Sequence, residues 1–187
     1  MKECPSLQIA CAVRALRAGG VIAYATEGVW GLGCDPFDGV AVQRVLDLKG
    51  RKAAKGLIMV ADSLNQLFPL LAPVSIDLLE NMRCHWPHPV TWVVPVSSEL
   101  PRWITGNHST AAVRISTHPQ ARQLCQAFGG PIVSTSANPQ GRPPARNAFG
   151  VRKYFRHRID YILPGAVGGW RKPSEIRDAV TGRVLRA

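Results

Sequence analysis

The sequence predicts an α+β fold, a twisted mixed sheet with helices packed on it. Three observations carry that reading. Short apolar runs recur at 21–24, 57–60, 90–96, 111–115 and 131–135. Stretches with helical spacing lie between most of them. The two kinds interleave without the strict alternation of a doubly wound fold, so the sheet should mix parallel and antiparallel pairs.

Each element has a local reason. Residues 8–18 place Ile9, Val13 and Leu16 on one helical face, and Gly19-Gly20 ends that helix. Val21-Ile22-Ala23-Tyr24 reads as a buried strand, and Gly28, Gly31 and Gly33 mark the following stretch as a turn up to Asp35-Pro36. Asp38 is a natural N-cap for a helix that carries Val42, Val45 and Leu46 on one side and ends at Lys49. Leu57-Ile58-Met59-Val60 is the next strand. Residues 63–71 and 75–84 read as helices broken at Pro73. The rigid loop Trp86-Pro87-His88-Pro89 leads into a strand at 90–96. A strand at 111–115 holds one arginine, Arg114, and Thr117 would cap a helix over 119–128 that stops at Gly129-Gly130. A strand at 131–135, a helix at 147–156 and a strand at 159–163 follow. Pro164-Gly165 and Gly168-Gly169 make a flexible connection to one or two short strands after Ser174.

Composition bounds the function. The chain has 187 residues, 46% of them hydrophobic, which suits one domain spanning 1–187 and excludes disorder. No apolar run is long enough to span a bilayer and residues 1–5 begin no secretory signal, so a cytoplasmic protein is expected. Five cysteines, an odd number without a C-x-x-C spacing, indicate neither a disulfide framework nor a zinc ribbon. Cys34, in the glycine-rich turn, is either a reactive thiol or a buried bystander. The five histidines lack metal-ligand spacing, and no phosphate loop or dinucleotide fingerprint occurs. A net charge of +11 favours polyanionic ligands. The densest basic run, Arg152-Lys153-Tyr154-Phe155-Arg156-His157-Arg158, fits an RNA contact or a solvated helix end.

Two distant segments point to a phosphorylated ligand. Ser134-Thr135-Ser136-Ala137-Asn138 follows the run at 131–133 and would offer hydroxyls and an amide at a strand end. Lys49-Gly50-Arg51, with Lys55 beyond it, offers cations at spacing two. Each has a plainer reading: Ser and Asn cap strand ends, and Lys49 suits the negative end of a helix. Arg114 in its apolar strand could clamp a carboxylate or face water. Glu27 could act on magnesium indirectly, hold a basic residue or serve the fold alone.

Taken in order, these segments resemble the YrdC/TsaC-type threonylcarbamoyl-AMP synthase family. The resemblance rests on Tyr24 to Asp35, Leu48-Lys49-Gly50-Arg51, Lys55-Gly56-Leu57, Trp86 to Thr91, Ala112-Val113-Arg114 with His118-Pro119, Pro131 to Asn138, and Pro173 to Asp178. It covers nearly the whole chain and corresponds to the short bacterial form. It implies a YrdC-like fold and a reaction in which L-threonine, bicarbonate or carbon dioxide, and ATP give threonylcarbamoyl-AMP and pyrophosphate. The product would feed a threonylcarbamoyl transferase complex that modifies tRNA. Magnesium would arrive with ATP, with no tightly bound metal, and a tRNA contact is a further expectation.

By position, the resemblance implies that Lys49 and Arg51 are catalytic. They would also bind ATP, together with Thr110, Ser136, Asn138 and Arg186. Arg114, Ser134, Ser174 and Glu175 would bind threonine. The chain departs from the family pattern at Ala25, Gly28, His88, Gln140 and Glu175, which affects ligand contacts more than the reaction. The alternative is a non-catalytic RNA-binding module with a basic surface.

Overall fold

The computed structural model describes residues 6–85, 90–170 and 174–186. The expected loop at 86–89, with His88, and Pro173 lie outside the described residues.

Helix α1 (Leu7–Arg17) begins at Ser6, whose hydroxyl accepts from Ile9 N. Strands β1 (Ile22–Ala25) and β2 (Trp30–Gly33) form an antiparallel pair. Helix α2 (Gly39–Lys49) starts on Asp38, whose carboxylate accepts from Val40 N and Ala41 N. The helix ends at Gly50 in the left-handed region, φ 61°. That conformation favours glycine, and it turns the chain so that Arg51 leaves the helix axis two residues after Lys49.

Strand β3 (Ile58–Ala61), helix α3 (Leu64–Leu67) with a 3-10 turn at Phe68–Leu70, and helix α4 (Ile76–His85) follow. Next come β4 (Val90–Pro95), a one-turn helix α5 (Arg102–Thr105), β5 (Thr110–Ile115), α6 (Pro119–Phe128), β6 (Ile132–Ser136) and α7 (Ala148–Phe155). The described chain closes with β7 (Tyr161–Ile162), β8 (Glu175–Asp178) and β9 (Val184–Arg186).

The strands make one mixed sheet in the order β7-β1-β2-β6-β3-β5-β4-β8-β9. The β1/β7, β3/β5 and β4/β8 pairs are parallel and the others antiparallel. The central strands are buried on both faces. Ile22, Tyr24, Val60 and Ile132 join the α1 and α6 side chains in one cluster, while Ala23, Met59, Val133 and Trp92 join α2 and α7 in the other. Alternate residues of one strand thus feed two cores, which is why these runs read as continuously apolar.

Some expected elements differ. Residues 30–33 form a strand rather than part of a turn. Their glycines serve close packing: a Cβ on Gly33 would lie 2.9 Å from both Tyr24 Cε1 and Val133 O. The helix expected at 63–71 is one turn of α-helix followed by a 3-10 turn containing Pro69, whose ring removes a backbone donor. The N-cap of α6 is His118, not Thr117, and makes no side-chain capping bond. No helix among the described residues is long and apolar enough to cross a membrane.

Candidate functional site

A cavity of about 650 Å³ opens where the β1–β2 turn, the end of α2, β5, β6 and β9 converge. The first contributor is the stretch after α2. Arg51 lines the cavity, and its Nη2 donates to Gly56 O at 2.9 Å, which fixes the guanidinium against its own loop. Burial lowers the pKa of Arg51 from its ordinary value.

Lys49, the last residue of α2, is only 5% exposed and does not line the cavity. Its Nζ donates to Ser136 O at 2.5 Å and Asn138 O at 2.9 Å, with Ser136 Oγ and Asn138 Oδ1 each at 3.4 Å. The ammonium therefore holds the β6 end from behind. Burial first, and then the Arg51 charge, lower its pKa to about 8.

β6 supplies the hydroxyl wall, with Ser134 and Ser136 both lining the cavity. Asn138 lies just past it and is turned away. Its Nδ2 donates to Pro139 O at 3.1 Å and Arg142 O at 2.6 Å, closing the turn that follows. That turn is anchored again by Gln140 N donating to Lys49 O at 2.7 Å. Lys49, Ser136 and Asn138, separated by almost half the chain, form one connected network, and Arg51 joins Ser136 at the same cavity.

β5 carries Arg114 into the cavity opposite the β1–β2 turn. Its Nη2 lies 3.5 Å from Glu27 Oε2. Glu27 is nearly fully buried. Burial would raise its pKa, but Arg114 and the donors Ser116 and Thr117 outweigh it and bring it to about 2. Such depression stabilises the folded state above the ordinary carboxylate pKa near 4.5 and loses that contribution as pH falls toward about 2. The stability advantage of wild type over Glu27→Gln is thus expected to shrink by roughly 3 kcal/mol on acidification through this window. Urea unfolding of both proteins across that pH range checks it.

The remaining wall comes from irregular segments. Arg146, Pro143 and Pro144 precede α7, and Trp170 and Ser174 lie between β7 and β8. Ser174 Oγ is 3.0 Å from Thr91 Oγ1, and Arg186 Nη2 donates to Ser174 O at 2.9 Å. Burial and then the Arg114 charge lower the pKa of Arg186, so the two guanidiniums share one electrostatic field.

Of the expected site residues, Arg51, Arg114, Ser134, Ser136, Ser174 and Arg186 line the cavity, while Lys49, Asn138, Thr110 and Glu175 do not. Thr110 begins β5, about 13 Å along the strand from Arg114. Glu175 pairs with Arg177 instead. Sequence reasoning missed Arg146 and Trp170, whose only sequence signals are proline- and glycine-rich surroundings. Cys34 is fully buried in the core, and burial raises its thiol pKa, which fits the bystander reading.

Four arginines thus face one carboxylate, Glu27, that is already engaged with Arg114. This donor set suits a polyanion, not a resident cation. Among the described residues no group of three or more His, Cys, Asp or Glu converges on a metal position.

Comparison with known proteins shows the family. The Sua5/YciO/YrdC family model, described as telomere recombination, matches residues 14–187. A threonylcarbamoyl-AMP synthase of Halorhodospira halophila is 50% identical over 190 residues, covering all of both chains. Another, of Pseudomonas fluorescens, is 51% identical over 97% of each chain. A solved P. abyssi Sua5, complexed with L-threonine, superposes with a TM-score of 0.85 at 35% identity, over 91% of this chain and 50% of that one. This chain therefore spans about half the length of that Sua5. The profile match over residues 14–187, with the cavity lined by Arg51, Arg114 and the β6 hydroxyls, places the chain in the Sua5/YciO/YrdC family.

Proposed function

We propose that this protein is a threonylcarbamoyl-AMP synthase, a nucleotidyltransferase that uses L-threonine, bicarbonate or carbon dioxide, and ATP. The observation that carries the reading is the meeting of four guanidiniums with the Ser134–Ser136 strand end in one cavity, in a chain half identical to synthases along its whole length. The threonine amine adds to carbon dioxide, losing a proton and forming a carbamate. A carbamate oxygen then attacks the α-phosphorus of ATP, the bond to the bridging oxygen breaks, and pyrophosphate leaves. No enzyme nucleophile is required.

The residues supply position and charge. Arg114 clamps the threonine carboxylate beside the Ser134 and Ser174 hydroxyls. Arg51 and Arg186, with the Ser136 hydroxyl, neutralise the phosphates, and their fixed placement costs no reorganisation during reaction. Lys49 and Asn138 act from behind, by setting where the β6 end stands. Neither Thr110, expected to bind ATP, nor Glu175, expected to bind threonine, lines the cavity, so both are left out of this assignment. Magnesium enters as part of the ATP substrate, bound to its phosphates.

The experiment is pyrophosphate release by the purified protein with ATP, threonine and bicarbonate, with each omitted in turn. Release that needs both threonine and bicarbonate, with an adenylylated product by mass, is the expected result. Absence of that dual dependence would sink the reading.

The setting proposed is cytoplasmic, with the product passed to a transferase complex acting on tRNA. Arg152, Lys153, Arg156 and Arg158, exposed along and after α7, favour an additional tRNA contact. A steep loss of tRNA affinity with salt, reduced when these cations are replaced, checks it. Salt-steep binding without turnover would instead favour the RNA-binding module.

A further inference from the structure

The Thr26–Glu27 turn is gripped from two directions. On one side, Glu27 Oε1 accepts from Ser116 Oγ at 2.7 Å, Thr117 N at 2.9 Å and Thr117 Oγ1 at 3.4 Å. All three donors sit just after β5, the strand that carries Arg114. Among the described residues, Glu27 Oε2 faces Arg114 alone, at 3.5 Å, and makes no hydrogen bond. On the other side, residues 163–170 strap the turn down. Gly168 N donates to Thr26 O at 3.1 Å, and Trp170 N donates to Glu27 O at 3.0 Å. The strap is pinned by His118 Nε2, 2.9 Å from Ala166 O, and by Gln120 Nε2, which donates to Pro164 O at 2.6 Å. A Cβ on Gly168 would lie 3.2 Å from Glu27 Cα, so the packing is close.

A buried ion pair adds little net stability over apolar packing. It does fix direction. Arg114 has five N–H donors in a planar fork, and only a held guanidinium presents the same pair of them to a carboxylate each time. A carboxylate satisfied by this many donors also stays ionised and takes up no proton from a substrate amine.

We propose that Glu27 is a positioning residue for amino-acid recognition: pinned by Ser116 and Thr117, its Oε2 aims the Arg114 guanidinium at the substrate carboxylate. The inference rests on the threonine-clamp reading of Arg114.

The test is Glu27→Gln, which keeps the shape and an acceptor for Ser116 but removes the charge. The KM for threonine is expected to rise about tenfold, the scale of one charge-assisted contact, while the KM for ATP moves less than about twofold. Unchanged threonine KM would overturn the proposal. Equal rises in both KM values would also overturn it, since the loss of stability expected of this variant would then account for both. Should Glu27→Gln fail to fold, Ser116→Ala decides by the same criteria, because it loosens Glu27 without touching Arg114. A wild type without threonine-dependent turnover refutes the synthase reading separately. The Arg114 Nε–H resonance then tests the positioning: faster hydrogen exchange in Glu27→Gln supports it, and an unchanged rate overturns it.

Discussion

Replacing Arg51 by alanine is expected to lower kcat/KM for threonine- and bicarbonate-dependent pyrophosphate release by about 10²–10³, with little change in melting temperature. The magnitude is that of one preorganised charge-stabilising donor in a transition state. The small stability cost follows from its surroundings. Among the described residues Arg51 makes one hydrogen bond, to Gly56 O, and losing such a bond costs about 1 kcal/mol. Its side chain lines the cavity, where charge develops on the departing pyrophosphate. Steady-state pyrophosphate release, set beside thermal unfolding of the same preparation, measures both quantities. Arg51→Lys is expected to recover only part of the rate, because an ammonium cannot reproduce a planar fork.

Lys49→Met is expected to fail differently, with the protein losing stability as well as turnover. The substitution keeps length and apolar character but strands Asn138 O, a buried acceptor, and takes one of two donors from Ser136 O, which keeps the Asn138 N bond at 2.9 Å. An orphaned buried acceptor costs about 1–3 kcal/mol. For a chain of this size each kcal/mol corresponds to about 2–4 °C in Tm. The kinetic loss should appear in both substrates, because the β6 end that shifts carries Ser134 and Ser136 together. Arg51→Ala would lower Tm by only the ~2–4 °C of one lost hydrogen bond, so the pair of variants separates a group that faces ligand from one that holds the wall.

The pH dependence of Lys49 has a definite sign. Its folded pKa of about 8 lies below the ordinary 10.5, so the folded state releases the proton first. The folded protein therefore binds fewer protons than the unfolded chain between these values, and the Lys49 contribution to stability rises across the window. Turnover moves the opposite way. Above about pH 8 the neutral amine donates fewer hydrogen bonds to Ser136 and Asn138, and activity is expected to fall. Paired profiles of unfolding and kcat/KM, compared with Lys49→Met, would reveal the opposed trends.

Much of this architecture was legible because burial leaves periodic marks. Helices α1 and α2 announced themselves through apolar spacing, and α1 and α6 through their stops at Gly19-Gly20 and Gly129-Gly130. The central strands showed as unbroken apolar runs, since both faces pack. β2 was not legible: Trp30-Gly31-Leu32-Gly33 reads as a turn, and only the nearness of Tyr24 and Val133 explains its glycines as strand residues. The convergence of 49–51 with 134–138 followed from the family resemblance rather than from spacing. The inward placement of Arg51 could be anticipated, but the backward orientation of Lys49 could not, because it depends on carbonyl directions at the β6 end.

Arg146 and Trp170 escaped for another reason. Both lie on segments without periodic structure, placed by long-range bonds. Trp30 N donates to Ala145 O, Ala145 N donates to Ala137 O, and Tyr154 Oη donates to Pro143 O, and these bonds seat the stretch that holds Arg146. No local pattern encodes such anchoring.

The strap over the β1–β2 turn has a consequence for measurement. Its two clasps are backbone amides, at Gly168 and Trp170, and each can trade its hydrogen for deuterium only when the clasp is undone. Deuterium uptake at these two positions is therefore a built-in gauge of how often the chain lifts from the chamber, read apart from global unfolding. A compound lodged beneath Trp170 would slow that uptake, which makes occupancy countable without turnover.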